Sequence, residues 1–274
     1  MLGWPVALEC ADVRLFDLVR GLYGRLPSPD VPDVDRIRLL RETDGGACRG
    51  DSSFGEPLPP CDEGVALSWL DDQLTIGAQH RRQDLLFLHA AALRRHGRAL
   101  LLLAESGGGK STASWAAVHD GFALMSDELA PVRVEDATVL PHPRAVCLKT
   151  RPPGPWPLPE GTLQTAGGFH VPPELLPLPP ADGPAPIAAL VFVSHRTDGS
   201  DPRLTSIAPA EGAARLYAHS LNPLAHAGDG LDAVAALARK VPAFTLVSTD
   251  LPQTARLLAS LCDAPARAGT VTGS

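Results

Sequence analysis

Apolar positions recur along the chain with two different periods, which indicates a mixed α/β protein. Apolar residues spaced three and four apart predict a helix over 12–23, and short apolar runs predict strands over 34–40 and 65–69. Residues 44–62 carry glycine, serine and proline with few large apolar side chains, so we expect an exposed loop there. We interpret residues 1–82 as an N-terminal α/β extension.

The most strongly patterned block covers residues 85–150. An apolar run covers 85–93 around His89, and Gly97 breaks it before a strand that is predicted over 99–103. The pattern then predicts a helix from 111 to about 118 and a short strand over 122–125. Strands that alternate with helices in this way are typical of an α/β sheet.

Prolines crowd residues 141–186, and the stretch 151–159 cannot sustain a helix or a central strand. This segment is either a surface excursion or a functional lid or acceptor-binding loop. Beyond it, strands are expected over 187–194 and 243–248, and helices over 209–219, 231–240 and 251–261. We assign 83–263 to a single domain and expect the small, polar tail 264–274 to be disordered.

A glycine-rich stretch lies between the predicted strand 99–103 and the helix that follows it: Ala104-Glu105-Ser106-Gly107-Gly108-Gly109-Lys110-Ser111-Thr112. Glycines let backbone N–H groups turn toward an anion, lysine supplies charge, and a serine hydroxyl can reach Mg²⁺. The stretch therefore predicts a Walker A phosphate-binding loop (P-loop), with ATP bound by residues from Glu105 to Thr112. Alanine replaces the first glycine of the pattern, which fits only if the φ of Ala104 is negative. The alternative is a strand-to-helix connector that binds nothing.

Two adjacent carboxylates, Asp127 and Glu128, come directly after the strand predicted over 122–125. One carboxylate can orient Mg²⁺, and its neighbour can accept the proton of an attacking hydroxyl. The alternative is a pair of solvated turn acids. His89 lies inside an apolar run, where a histidine more often packs in the core than takes part in catalysis.

Composition and charge exclude several classes of function. The formal charge of −7 and the scattered arginines argue against a nucleic-acid partner. The five cysteines form no C-x-x-C pair, so neither a zinc site nor a disulfide framework is expected. Because no signal sequence and no run of membrane-spanning length is visible, we expect a cytoplasmic protein without a membrane partner.

Several of these motifs together resemble the kinase domain of HPr kinase/phosphorylase. They are, in order, Leu88-His89-Ala90-Ala91, Gly97, the loop through Ser111, Gly121 and Ser126-Asp127-Glu128. His89 precedes Lys110 by 21 residues, and the two acids follow Lys110 by 17 and 18, in that family's register. The chain is also similar to HPr kinase-related proteins of peptide-modification gene neighbourhoods, which share the Pro-Arg-x-x-x-Leu-Lys pattern of residues 143–149.

The resemblance implies an α/β P-loop kinase core of the HPr kinase and phosphoenolpyruvate carboxykinase type, with the N-terminal extension packed against it. Such an enzyme transfers the γ-phosphoryl group of ATP to a hydroxyl with the help of Mg²⁺. By this resemblance Lys110 would contact the β and γ phosphates, while Ser111 and Asp127 would hold Mg²⁺. His89 would contact the phosphates or assist the carboxylates.

The base toward the acceptor stays open between Asp127 and Glu128, because this chain has glutamate where the family has aspartate. Arg144 and Lys149 are candidate contacts for the transferred phosphoryl group or the acceptor, although exposed basic residues beside prolines are equally ordinary. The acceptor implied first is a serine or threonine of a peptide or small protein, for example a lasso-peptide precursor. A kinase of a small hydroxylated metabolite and an inactive nucleotide-binding regulatory or scaffold protein are the alternatives, and a homo-oligomer is possible.

Overall fold

A computed structural model describes residues 2–24, 34–42, 46–165, 167–198 and 200–263, and the predicted tail at 264–274 lies outside this part. The protein is a mixed α/β structure, as predicted. Its described helices are α1 (Val13–Tyr23), α2 (Glu63–Arg81), α3 (Lys110–His119), α4 (Pro209–Ala218), α5 (Leu231–Lys240) and α6 (Leu251–Asp263). The first eight strands are β1 (Val6–Cys10), β2 (Asp35–Arg41), β3 (Cys48–Ser52), β4 (Leu58–Cys61), β5 (Leu86–His89), β6 (Ala91–Arg95), β7 (Arg98–Leu103) and β8 (Ala123–Ser126). The other eight are β9 (Leu129–Arg133), β10 (Thr138–Val139), β11 (Val146–Leu148), β12 (Leu163–Thr165), β13 (Gly168–Val171), β14 (Ala185–His195), β15 (Arg203–Ile207) and β16 (Ala243–Ser248).

The first four strands form a sheet of their own, which we call the N-terminal sheet, in the order β1-β2-β3-β4. β1 and β2 are parallel, and the other two pairings are antiparallel. Alternate residues of β2, Ile37 and Leu39, are buried against α1 and α2, whereas Arg36 and Leu40 on the opposite face are exposed. One face of this sheet therefore carries a core, as the period of two predicts.

The predicted strand at 65–69 is wrong, because these residues belong to the first turns of α2. The Asp62 side chain accepts the backbone N–H of Val65 at 2.9 Å and caps the helix. The buried residues Ala66, Leu70 and Leu74 then follow at the spacing of a helix face. A run of five residues is too short to reveal that period.

The predicted loop at 44–62 is wrong in part, because β3 and β4 lie within it. Cys48 begins β3 and is buried. β4 contains Pro59 and Pro60 and lies at the end of the sheet, which is where a strand tolerates proline. Neither the polar strand β3 nor the proline-containing edge strand β4 shows the apolar alternation on which the prediction relied.

The second sheet, which we call the main sheet, has nine strands. Seven follow the order β5-β9-β10-β14-β7-β6-β8, and β16 pairs with both β14 and β15. β14 is parallel to β7 and β16, whereas β6 is antiparallel to both β7 and β8. β7, β8, β14 and β16 therefore point the same way, and the residues that follow them meet at one edge of the sheet.

Helices cover both faces of the main sheet. In β7, Leu100 and Leu102 pack in a cluster with α3 and α6, whereas Leu101 and Leu103 pack in a cluster with α4 and α5. A strand that is buried on both faces has an unbroken apolar run, which is why β7 was predictable. The helices and strands predicted after residue 99 are confirmed, with shifts of one or two residues at their ends.

The proline-rich segment contains β11, β12 and β13, which form a small sheet in the order β11-β13-β12. The stretch predicted to lack regular structure, 151–159, contains no helix or strand. It packs on α3, because Trp115 Nε1 donates to the carbonyl of Trp156 at 3.2 Å and the imidazole of His119 stacks on the Trp156 ring, with centroids 5.2 Å apart. No helix in the described part of the chain combines the length and apolar character needed to cross a membrane.

Candidate functional site

The glycine loop, residues 104–109, connects the end of β7 to the start of α3. Gly107 and Gly109 have φ of +80° and +94°, a left-handed conformation that glycine adopts without strain. Gly109 is the N-cap of α3, and no described side chain bonds to this helix terminus. The first-turn N–H groups, which include that of Ser111, are therefore available to an anion, and the helix dipole favours one.

Ala104 fits the place of the missing glycine. Its φ is not positive, and its side chain is buried. Gly108 follows in a tight turn, in which its N–H donates to the carbonyl of Glu105 at 2.8 Å. A Cβ on Gly108 would lie 2.9 Å from that same oxygen, so the close approach requires glycine.

Lys110 extends from the first turn of α3 to the residues that follow β8. Its Nζ donates to the backbone oxygen of Asp127 at 2.7 Å and to Oε2 of Glu128 at 3.0 Å. The residue is only 7% exposed. The lysine charge is thus held at the helix N-terminus and beside both predicted carboxylates.

Asp127 is fully buried and only half satisfied. Its Oδ2 accepts the backbone N–H of Cys147 at 2.8 Å, while Oδ1 has no hydrogen-bond partner among the described residues. Burial raises the pKa of Asp127 to about 6, the charge of Lys110 acts against this rise, and that of Glu128 adds to it. An unpartnered buried carboxylate oxygen is costly, and it is the type of atom that binds a hard cation.

Glu128 joins Lys110 to His89. Its Oε2 lies 3.4 Å from Nε2 of His89, which ends β5. Burial lowers the pKa of His89, and the charge of Lys110 lowers it further, so its imidazole is neutral at pH 7. The Glu128 side chain is 28% exposed, whereas Asp127 is fully buried.

The remaining predicted residues lie in two places. Lys149 is exposed and donates from Nζ to the Ser106 hydroxyl of the glycine loop at 2.8 Å, and Ser111 and Thr112 lie half-buried in the first turn of α3. Arg144 is only 7% exposed, so it is not an exposed basic residue. Its Nη1 donates to Oδ2 of Asp71 at 2.6 Å, which directs the guanidinium to α2.

Two histidines near the glycine loop were missed from the sequence. The backbone carbonyl of His219 accepts the N–H of His89 at 2.8 Å. Burial lowers the pKa of the His219 imidazole, and the nearby charge of Glu105 partly offsets this decrease. His195 ends β14, and its Cβ lies 3.0 Å from the place that a Cβ on Gly109 would take. Only the position of His195 directly after the strand predicted over 187–194 could have indicated it.

Mg²⁺ could not be held by protein carboxylates alone. Within the described ranges, no group of three or more His, Cys, Asp or Glu side chains could hold a metal ion. Mg²⁺ usually keeps several waters and binds through one or two carboxylates together with substrate phosphates. The free Oδ1 of Asp127 and the hydroxyl of Ser111 are ligands of the kind that this arrangement needs.

Comparison with known proteins adds little to the geometry. No protein-family model matches the chain, and no curated protein matches it. Among solved structures, the chain is similar to the HPr(Ser) kinase/phosphatase from Coxiella burnetii, with 15% identity and a TM-score of 0.32 over 64% of this chain and 93% of that one. A superposition of this quality does not assign a fold family, so the functional assignment of this protein depends on the geometry of its candidate site.

Proposed function

We propose that the protein is an ATP- and Mg²⁺-dependent phosphotransferase that acts on a hydroxyl, built on a P-loop kinase core. The observation that carries this proposal is the position of Lys110. It begins the helix that follows a glycine loop, and its Nζ reaches both acidic residues that follow β8. A cation, free helix N–H groups and two carboxylates at one point are the parts that phosphoryl transfer uses.

The glycine loop and Lys110 would bind the phosphates. The uncapped N–H groups at the start of α3 and the charge of Lys110 both attract anionic oxygens. Ser111 and Asp127 would hold Mg²⁺, which when bound neutralises charge on the phosphates, while ATP supplies the phosphoryl group. Catalysis would then come from positioning and charge stabilisation.

Glu128 is the better placed of the two carboxylates to accept the proton of the acceptor. It is partly exposed, whereas Asp127 is fully buried. The neutral imidazole of His89 lies 3.4 Å away and can orient the Glu128 carboxylate or bond to the acceptor. We therefore assign Glu128 as the base and Asp127 as the metal ligand.

We further propose that the acceptor is a serine or threonine of a peptide or small protein. Support for this step comes from the motifs shared with HPr kinase-related proteins, among them Pro-Arg-x-x-x-Leu-Lys at residues 143–149. In the structure, the exposed Lys149 of this motif contacts Ser106 in the glycine loop. The motif therefore lies beside the place where phosphates would bind.

The test is transfer from γ-labelled ATP in the presence of Mg²⁺, with peptides encoded beside the gene and hydroxylated metabolites as acceptors. The proposal predicts label on a peptide, lost in Lys110→Ala and in Asp127→Ala. Lys240→Ala is the matched control, because this exposed lysine binds backbone oxygens of Val134 and Glu135 instead. Label on a metabolite would select the small-molecule alternative, and ATP binding without transfer to any acceptor would select the regulatory one.

A further inference from the structure

The segment from Pro143 to Cys147 passes between the helices of the N-terminal sheet and the candidate site. Ala145 is fully buried in the cluster formed by α1, α2 and the N-terminal sheet. Its neighbour Val146 is fully buried in the main-sheet cluster that contains α3. Two consecutive residues therefore belong to two different cores.

Two hydrogen bonds tie this segment to the N-terminal side, and a third holds the Asp71 side chain. Arg144 Nη1 donates to one carboxylate oxygen of Asp71 at 2.6 Å, and the Tyr23 hydroxyl donates to the other at 2.6 Å. The N–H of Ala145 donates to the carbonyl of Leu22, also at 2.6 Å. Arg144 and Tyr23 are both buried, whereas the Asp71 side chain between them is 30% exposed, so this contact is partly shielded from solvent.

The other end of the same segment holds Asp127. The backbone N–H of Cys147 donates to Oδ2 of Asp127, and this is the carboxylate's one hydrogen bond to the described residues. Only two residues separate Arg144 from Cys147. A shift of the segment at Arg144 must therefore displace the group that orients Asp127.

We propose that Asp71 is a positioning residue for Asp127. Together with Tyr23 it fixes Arg144, and through the short backbone segment from Arg144 to Cys147 it fixes the N–H that orients the Asp127 carboxylate. This inference rests on the proposed function for its effect on catalysis, but not for the structural coupling itself. Because a misplacement of about 1 Å can cost about 100-fold in rate, loss of Asp71 should lower kcat.

A purely structural ion pair predicts a different pattern. Breaking it would destabilise the fold, so the folded fraction and the apparent kcat would fall together, while kcat per folded molecule would stay at the wild-type value. In the positioning role, Asp71→Asn lowers kcat per folded molecule by about 10-fold or more, and KM for ATP changes less than kcat, because the glycine loop and Lys110 are untouched. Arg144→Lys retains most of kcat, since one ammonium can replace the single Nη1 contact, whereas Arg144→Gln does not.

The experiment combines these kinetics with amide hydrogen exchange at Cys147, measured on the full chain by NMR. Exchange at this amide should speed up about 10-fold in Asp71→Asn. It should be unchanged in Asp72→Asn, which alters the exposed neighbour on α2. Tyr23→Phe removes a single hydroxyl and should give an intermediate effect if Asp71→Asn proves too unstable to study.

The outcomes separate this inference from the proposed function. If Asp71→Asn keeps the Cys147 amide protected while folded, the positioning role is overturned, whatever the activity. If exchange accelerates but the wild type transfers no phosphate to any acceptor, the coupling stands and the kinase assignment fails. If transfer occurs and Asp71→Asn matches Asp72→Asn in kcat, the catalytic part of the inference is wrong.

Discussion

Replacing Asp127 by asparagine should stabilise the folded protein at neutral pH when Mg²⁺ and ATP are absent. Burial raises the pKa of Asp127 from 3.8 to about 6. The folded state therefore holds a proton that the unfolded state has already released, so this group lowers stability as pH rises through that window. Asparagine cannot titrate, and its side-chain oxygen can still accept the N–H of Cys147.

The magnitude follows from the size of the pKa shift. A rise of roughly two pKa units corresponds to about 3 kcal/mol of lost stability above pH 6. The asparagine amide buries N–H groups without a partner, which costs about 1–2 kcal/mol. The net gain at pH 7.5 is therefore about 1–2 kcal/mol, and it should be about 1.4 kcal/mol smaller at pH 5.

Urea unfolding followed by tryptophan fluorescence at pH 5 and pH 7.5 measures this difference. Asp201→Asn is the control, because that aspartate is exposed in a loop and its replacement should be neutral at both pH values. The reasoning is refuted if the stability difference between Asp127→Asn and wild type does not grow with pH. The same variant should lose the stabilisation that Mg²⁺ and ATP together give the wild type.

Three further changes test separate parts of the structure. Gly109→Ala should weaken ATP binding about 10-fold, as measured by calorimetry. The φ of Gly109 is +94°, and the new Cβ would lie 3.0 Å from the Cβ of His195, so the loop would have to change shape. Unchanged affinity would contradict this loop geometry. Asn222→Ala should lower the free energy of unfolding in urea by about 2–4 kcal/mol, because the buried Asn222 amide forms hydrogen bonds to the backbone of Leu85 and Phe87. A decrease of less than about 0.5 kcal/mol would argue against those bonds. Trp156→Ala should lower the free energy of unfolding by about 2–3 kcal/mol, because it removes the ring that stacks on His119. It should also increase protease cleavage within 151–159. An unchanged melting temperature would show that this ring does not hold the proline-rich segment.

Elements of the main sheet could be predicted because their burial is simple. β7 and β14 are apolar on both faces, and Gly97 and Gly121, both at positive φ, mark the turns before β7 and β8. α2 could not be recognised from 65–69 because its decisive signals, the Asp62 cap and the spacing of buried residues through Leu74, lie outside that short run. The local sequence pattern therefore predicts an element well when the whole element has the same burial, as in β7 and β14.

The central part of the site was also predictable, for a topological reason. The glycine loop follows β7 and the acids follow β8, and both strands end at the same edge, so Lys110 and Glu128 meet. Arg144 could not be placed in this way, because its partner Asp71 lies 73 residues earlier, on a helix whose position depends on tertiary packing. His219 is a similar case, whereas His195 directly follows the strand predicted over 187–194, and that position was the one available signal.

Binding of ATP with Mg²⁺, measured by isothermal titration calorimetry, tests the central claim most directly. The account predicts one site per chain in the wild type and in Lys240→Met. In Lys110→Met it predicts a loss of affinity of about 100-fold, because a charge-assisted contact to phosphate disappears. Equal affinity in Lys110→Met and wild type, or no binding by a folded wild-type protein, would contradict it.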